Sequence, residues 1–416
     1  MNLYLFIARK FTYKSASRGQ LSRISNIIAT VSVAISVAVI MVAIAVANGF
    51  RAQIREKASG FSGDITLSAP GTDVVNHLYP VKVPAYIEEL RRMPQVESVG
   101  GVAYRSGILK STGHIQGVVF KGVDSCYNRN FFAAHLICGS LPDYSADTLS
   151  SDILISKTLS DALGYGLDDK VFAYFVGEDV TFRIFNVCGI YDAILEELDS
   201  KLIIADIGLI RDVNGWDGDM LSGYEIILKR KYRNETSGTA LDVENLILES
   251  TPEDEPYTLL PSTVEERFYV LYDWLRLLDV NVLILLALMI AVAGFNMVSG
   301  LLIILFERIS QIGLLKAVGM KNSNIAKIFL YRASFTVLKG FLAGNIIALA
   351  FCFLEWKFKF IPLDAENYFV NHVPVCLEWE TVVVVNLAAF AAIMVILLVP
   401  CHLISRISPA KTLVVK

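Results

Sequence analysis

The chain has 416 residues, 54% of them hydrophobic and 19% charged, with a formal net charge of −4. It is too apolar and too thinly charged for an ordinary soluble domain, and it lacks the basic surplus of a nucleic-acid binder. The apolar excess is gathered into four runs, which points to a membrane protein.

In residues 1–23, Leu3, Phe6, Ile7 and Phe11 share one helical face beside Arg9 and Lys10, a pattern for a short cytoplasmic helix in the membrane interface. Residues 24–47 carry no charge. At about 1.5 Å per residue they cross a hydrocarbon core of roughly 30 Å, and the run is too long for a cleaved signal segment.

A polar stretch, 48–278, follows as an external domain. DITLSA (64–69) alternates like a strand, and Pro84–Met93 reads as a helix opened by proline. Val96–Leu109 and Ile115–Gly122 form a hairpin around STGH, and Lys157–Leu163 is a helix. VFAYFV and FRIFNVCGI are strands around a tight turn at Gly177-Glu178-Asp179. Leu202–Ile204, a helix at Ile207–Val213, a strand at YEIILK, a helix at Leu241–Leu248 and a strand at Tyr257–Leu260 complete the series. A strand–helix–strand unit thus occurs early and again late. The expectation is an α+β domain with an outer lobe (64–123 and 223–261) and a β-rich inserted lobe (about 124–222). Ser262 is placed to cap a helix from Val264 to Leu278 that runs into the second span, 279–306.

FERISQIGLLKAVGMKNSNIAK then interrupts the apolar sequence as a charged loop, 307–327. Ile309, Ile312, Leu315 and Val318 recur at three-residue spacing as one apolar stripe, and Glu307, Gln311 and Lys316 stay available to polar partners. Gly319 can end this helix, with Asn322 or Ser323 capping the next. The third span is 328–354, broken only by Arg332 and Lys339. Gly340 and Gly344 make a small-residue step for close helix packing, and Lys339 either pairs with a neighbouring helix or faces an anionic group. An external loop (355–381), a fourth span (382–404) and a tail (405–416) follow. Lys and Arg cluster before the first span, in 307–327 and in the tail. Both termini and the loop are therefore assigned to the cytoplasm of a multi-pass inner-membrane protein, with 48–278 in the periplasm.

Six cysteines show no metal spacing, although Cys126 and Cys138 could pair in an oxidising compartment, and the five histidines lack partners for a catalytic triad. No phosphate-binding loop or hydrolase motif occurs, so neither ATP binding in this chain nor an enzyme is expected.

Four segments carry a resemblance: SRISNIIATVSVAISVAVIMVAIAVANGF, FNVCGIYDAILEELDSKLIIADI, the stretch from LLALMIAVAGFNMVSG to KNSNIAKIFL, and the closing ISPAKTL. Together they resemble lipoprotein-releasing ABC transporter permeases of the LolC/LolE type, within the FtsX-like and MacB-like permease superfamily. The FtsX-like region falls at about 280–410. The resemblance implies four transmembrane helices and a MacB-like periplasmic domain that transmit ATP hydrolysis mechanically. It implies two cytoplasmic ATPase subunits that bind ATP-Mg, a second permease copy or paralogue, a lipoprotein cargo and a LolA-like periplasmic carrier. It makes Glu307, Arg308, Ile309, Ile312, Gly313, Leu315, Lys316 and Gly319 the ATPase-coupling segment. Val39, Val42, Val46, Met289 and Met297 would line a lipoprotein cavity, and Asn296 would make an interhelical hydrogen bond. The tight turn at 177–179 departs from the long hook of the carrier-recruiting subunit. A MacB-like efflux permease and an FtsX-like regulator of a cell-wall hydrolase are the alternatives.

Overall fold

The computed structural model describes residues 20–71, 80–111, 114–144, 149–177, 180–193, 199–251 and 258–403. The interfacial helix expected near the N-terminus, the tips of both expected hairpins and the C-terminal tail lie outside these residues. Two compact units form. One holds the segments ending at Ala52, running from Trp274 to Pro362, and beginning at His372; the other holds Gln53–Asp273 and Leu363–Asn371.

Among the described residues, four helices are long and apolar enough to cross a membrane. The first, Gln20–Ser62, continues for fifteen residues beyond the apolar run, since no proline or polar cap interrupts Asn48–Ser62. The second is Tyr269–Glu307 and the third Asn322–Phe358. The fourth is Trp379–Ile396, followed by Leu398–Leu403. Pro400 accounts for that break, because its ring removes an N–H and crowds the carbonyl four residues back, at Ile396.

Two expected caps are corrected. Ser262 is held in a strand opposite Thr66, so the cap passes to Thr263. Thr263 and Glu266 exchange hydrogen bonds of 3.3 and 2.8 Å as a capping box. The helix it starts, Val264–Arg267, ends at Phe268 (φ −106°, ψ 41°), so the expected continuous helix from Val264 is broken before Tyr269. The third helix is preceded by Lys321 without a side-chain cap, and Asn322 is already inside it.

In the membrane unit the first helix is the packing centre: 44% of its most apolar window is buried, against 11% for the second helix. Asn296 Nδ2 donates to Ser32 Oγ at 2.6 Å, joining these two helices. The same pair is held further along by an Arg51–Asp279 ion pair and by Phe50 edge-on to Trp274, 5.9 Å between centroids. Gly340 and Gly344 bring the third helix against the first. Asn345 and Asn386 exchange hydrogen bonds of 2.7 and 3.0 Å between the third and fourth. Val33, Met41, Met297, Leu301, Phe341 and Ile393 fill the middle.

The α/β unit is built on one ten-stranded sheet. Its strands are β1 (Ile65–Ser68), β3 (Val96–Ser111), β4 (His114–Val123), β5 (Leu136–Gly139) and β6 (Asp152–Ser156). They continue as β7 (Lys170–Val176), β8 (Val180–Tyr191), β9 (Leu202–Asp206), β11 (Gly223–Leu228) and β12 (Leu260–Thr263). A separate pair joins β2 (Val81–Lys82) to β10 (Met220–Leu221). β12 is displaced from the expected Tyr257–Leu260 because its ladder with β1 runs from Leu260 to Thr263. The order is β12-β1-β11-β3-β4-β9-β6-β8-β5, and β7 pairs with both β3 and β8. The pairings β3-β4-β9-β6-β8-β7 therefore close into a six-strand barrel. Strands β6–β9 supply four of its walls, and the long hairpin β3–β4 supplies the other two. Alternation fills the barrel: Val171, Ala173 and Phe175 point in, while Phe172 and Val176 point out. Inside, the Phe120 ring lies 5.0 Å from both Phe175 and Phe185.

Candidate functional site

The segment between the second and third helices is a short helix, Ile309–Ala317. It ends as its sequence requires. Gly319 has φ +90°, its N–H donates to the Lys316 carbonyl at 2.9 Å, and the Met320 N–H donates to the Leu315 carbonyl at 3.0 Å. These are the two hydrogen bonds of a Schellman motif, and Leu315 and Met320 both pack on the membrane core. A β-carbon on Gly319 would meet no atom within 4 Å, so only its backbone conformation demands glycine.

The apolar stripe does not all face outward. Ile312 and Gly313 are buried and Leu315 is half-buried, so they seat the helix on the membrane core and are not free to touch a partner. Ile309, Arg308 and Lys316 are half-exposed. The outward face consists of Glu307, Gln311, Leu314 and Val318, the last 82% exposed. Leu314 was not legible as a docking residue because the three-residue periodicity passes over it.

The expected cavity residues are also divided. Val39, Val42, Val46 and Met289 are half-buried, but Met297 is 3% exposed within the four-helix core, so it is corrected from a cargo contact to a packing residue. The open apolar surface of the second helix is the stripe Ile284, Leu288, Val292 and Phe295, spaced four, four and three residues apart. The first helix exposes Ile24, Ile28, Val31 and Ile35 in the same manner.

Of the packing residues, Asn296 makes its interhelical bond and the two glycines make close contacts. Lys339 is exposed and takes no part in that packing. Sequence reasoning missed Asn26, whose Oδ1 accepts from Thr336 Oγ1 at 2.8 Å, and the Asn345–Asn386 pair. An amide inside an apolar run was the available signal. Of the two alternatives open for Cys126 and Cys138, the structure shows the unpaired one, with both residues exposed.

Among the described residues, four helices of membrane-spanning length, an α/β domain and a short capped helix between the second and third of those helices are the frame of a multi-span membrane protein. Residues 283–409 match the family described as FtsX-like permease C-terminal, and residues 27–228 match the MacB-like periplasmic core domain. The chain belongs to the FtsX/MacB-like permeases, non-catalytic transmembrane subunits of ABC transporters, which implies an ATPase partner. At the level of the family the LolC/LolE type is supported by full-length relatives. The lipoprotein-releasing system transmembrane protein LolC of Xylella fastidiosa (strain Temecula1) is 24% identical over 98% of both chains, and that of Neisseria meningitidis 22% over 99% of both. LolE of Haemophilus influenzae is 24% identical over 52% of each chain. Among solved structures, the periplasmic region of MacB from Actinobacillus actinomycetemcomitans is 13% identical with a TM-score of 0.35, covering 51% of this chain and 94% of that one.

Proposed function

We propose that this chain is a permease subunit of a lipoprotein-releasing ABC transporter, extracting lipoproteins from the outer leaflet of the inner membrane. The observation that carries this reading is the likeness to LolC along both whole chains. Cargo acyl chains enter along the exposed stripe of the second helix, Ile284 to Phe295, and the half-buried Val39, Val42 and Val46 of the first. One ATPase docks on the outward face of Ile309–Ala317, and a second permease, identical or paralogous, receives the second ATPase and completes the transporter. Both termini lie in the cytoplasm. Val176 pairs with Val180, so three residues join β7 to β8, too few for a long carrier-recruiting loop. A LolA-like carrier would therefore be received by another surface or by the paralogue.

Photo-crosslinkers at Val292 and Phe295 test the reading. The expected adduct is a triacylated lipoprotein whose yield falls when ATP is added. Bulk phospholipid alone at both positions would support instead a regulator that moves no cargo.

A further inference from the structure

In the α/β unit, the end of the first long helix and the approach to the second are neighbours, because β1 and β12 are paired. Ile65 stands opposite Thr263, and the Val264 N–H donates to the Asp64 carbonyl at 2.9 Å. A helix that ends inside protein leaves its last carbonyls in need of donors. Here cations supply them. Lys121 of β4 is fully buried and donates to the Phe61 carbonyl at 2.6 Å, the Tyr127 hydroxyl at 2.7 Å and Glu225 Oε2 at 2.7 Å. All three ammonium protons thus have acceptors. Arg267 donates to the Ser62 carbonyl at 3.1 Å and to the Thr66 hydroxyl, which itself donates to Ser62 at 2.9 Å. Glu225 of β11 closes the network, accepting from Tyr104 at 2.6 Å and Tyr127 at 2.9 Å.

Stability alone is a weak reason for such a pair, since desolvating two charges offsets most of their attraction and apolar residues fill the same space as well. Burial is felt here: it lowers the Lys121 pKa to about 8, with Glu225 opposing. What ions add is direction. Lys121 fixes the Phe61 carbonyl to a wall of the barrel, and Arg267 fixes the Ser62 carbonyl to the segment leading into the second helix. Gly63, at φ +71°, turns the chain into β1, and the next residue is held to β11: the Asp64 N–H donates to the Ile226 carbonyl at 2.8 Å, and the Asp64 carboxylate accepts from the Leu228 N–H at 2.8 Å. β11 lies outside the barrel, whereas Lys121 stands on β4, one of its walls. We propose that Lys121, Glu225 and Arg267 form a joint that delivers displacement of the first or second long helix to the barrel. The joint rests on the chain's membership of the ATP-driven permeases and not on the lipoprotein reading.

The test is hydrogen exchange on the full-length permease with its ATPase in nanodiscs, with and without ADP-vanadate. In the wild type, trapping should change exchange in β6, β8 and β9. The paired variant Lys121→Met/Glu225→Leu removes both charges and keeps the volume. It should retain wild-type barrel protection without nucleotide and hydrolyse ATP, while its nucleotide-dependent difference shrinks about tenfold. Arg267→Met leaves the buried pair in place and should show the same loss, which keeps the test decisive should the paired variant not fold. A full nucleotide response in either folded variant overturns the joint. So does a wild-type barrel that never responds, because no displacement then reaches it.

Discussion

Gly344 lies so close to the first helix that a β-carbon on it would stand 2.5 Å from the Ala34 carbonyl oxygen and 2.9 Å from Val37 Cβ. Gly340, one turn earlier, meets Val33 and the Thr30 carbonyl in the same way. Both contacts involve backbone, which cannot rotate aside as a long side chain can. Gly344→Leu should therefore destabilise the membrane unit by about 1–3 kcal/mol through overpacking. Thermal melting of the detergent-solubilised chain checks this, with Gly238→Ala, which meets nothing within 4 Å, as a control that should not lower the midpoint. Equal midpoints for Gly344→Leu and wild type would mean that the helices do not touch there.

The turn at Gly319 makes a different demand. There is space for a side chain, but φ +90° costs a β-branched residue about 1–3 kcal/mol. Gly319→Val should insert normally yet lose most stimulation of ATP hydrolysis, and Gly319→Asn, which tolerates positive φ better, should keep more of it. Leu314→Glu and Val318→Glu, on the outward face, should reduce co-purification of the ATPase. Wild-type ATPase recovery and stimulation in all four variants would reduce Ile309–Ala317 to a simple connection.

Orientation can be read with an impermeant thiol reagent on spheroplasts of a cysteine-free variant. Ile115→Cys, 71% exposed on β4, should be modified from outside. Val318→Cys should react only after permeabilisation. Labelling of position 318 on unpermeabilised spheroplasts would reverse the topology and remove the coupling argument.

Removing one member of the buried pair should be more damaging than removing both. Lys121→Met leaves the Glu225 charge buried without its cation, at a cost of about 3–5 kcal/mol, whereas Lys121→Met/Glu225→Leu removes that charge and should cost less, the remainder coming from the Phe61 carbonyl and the Tyr104 and Tyr127 hydroxyls. Melting curves of the single and paired variants measure the difference. A paired variant as unstable as the single one would show that the remaining hydroxyls, Tyr104 and Tyr127, need the charges.

The four spans were readable because a membrane imposes a length and an uncharged composition on each crossing segment independently. The turn at Gly319 was readable for a similar local reason: glycine after a helical run is nearly diagnostic of a left-handed residue. Most strands could be placed from alternation alone. What sequence could not supply was which surface each element turns inward. Ile312 and Met297 look like any other apolar residue in their segments, and only packing against neighbours far along the chain makes them core. The closing of the barrel by β3 and β4 depends on pairings as distant in sequence as Val119 with Leu202, for which local periodicity has no signal. Lys121 is the clearest case. In VVFKGV it reads as a charged residue interrupting an apolar strand, and its burial is tolerable only because Phe61, Tyr127 and Glu225 arrive from three other elements to accept its protons. Desolvation must be compensated within hydrogen-bond distance, and distance is a property of the folded chain.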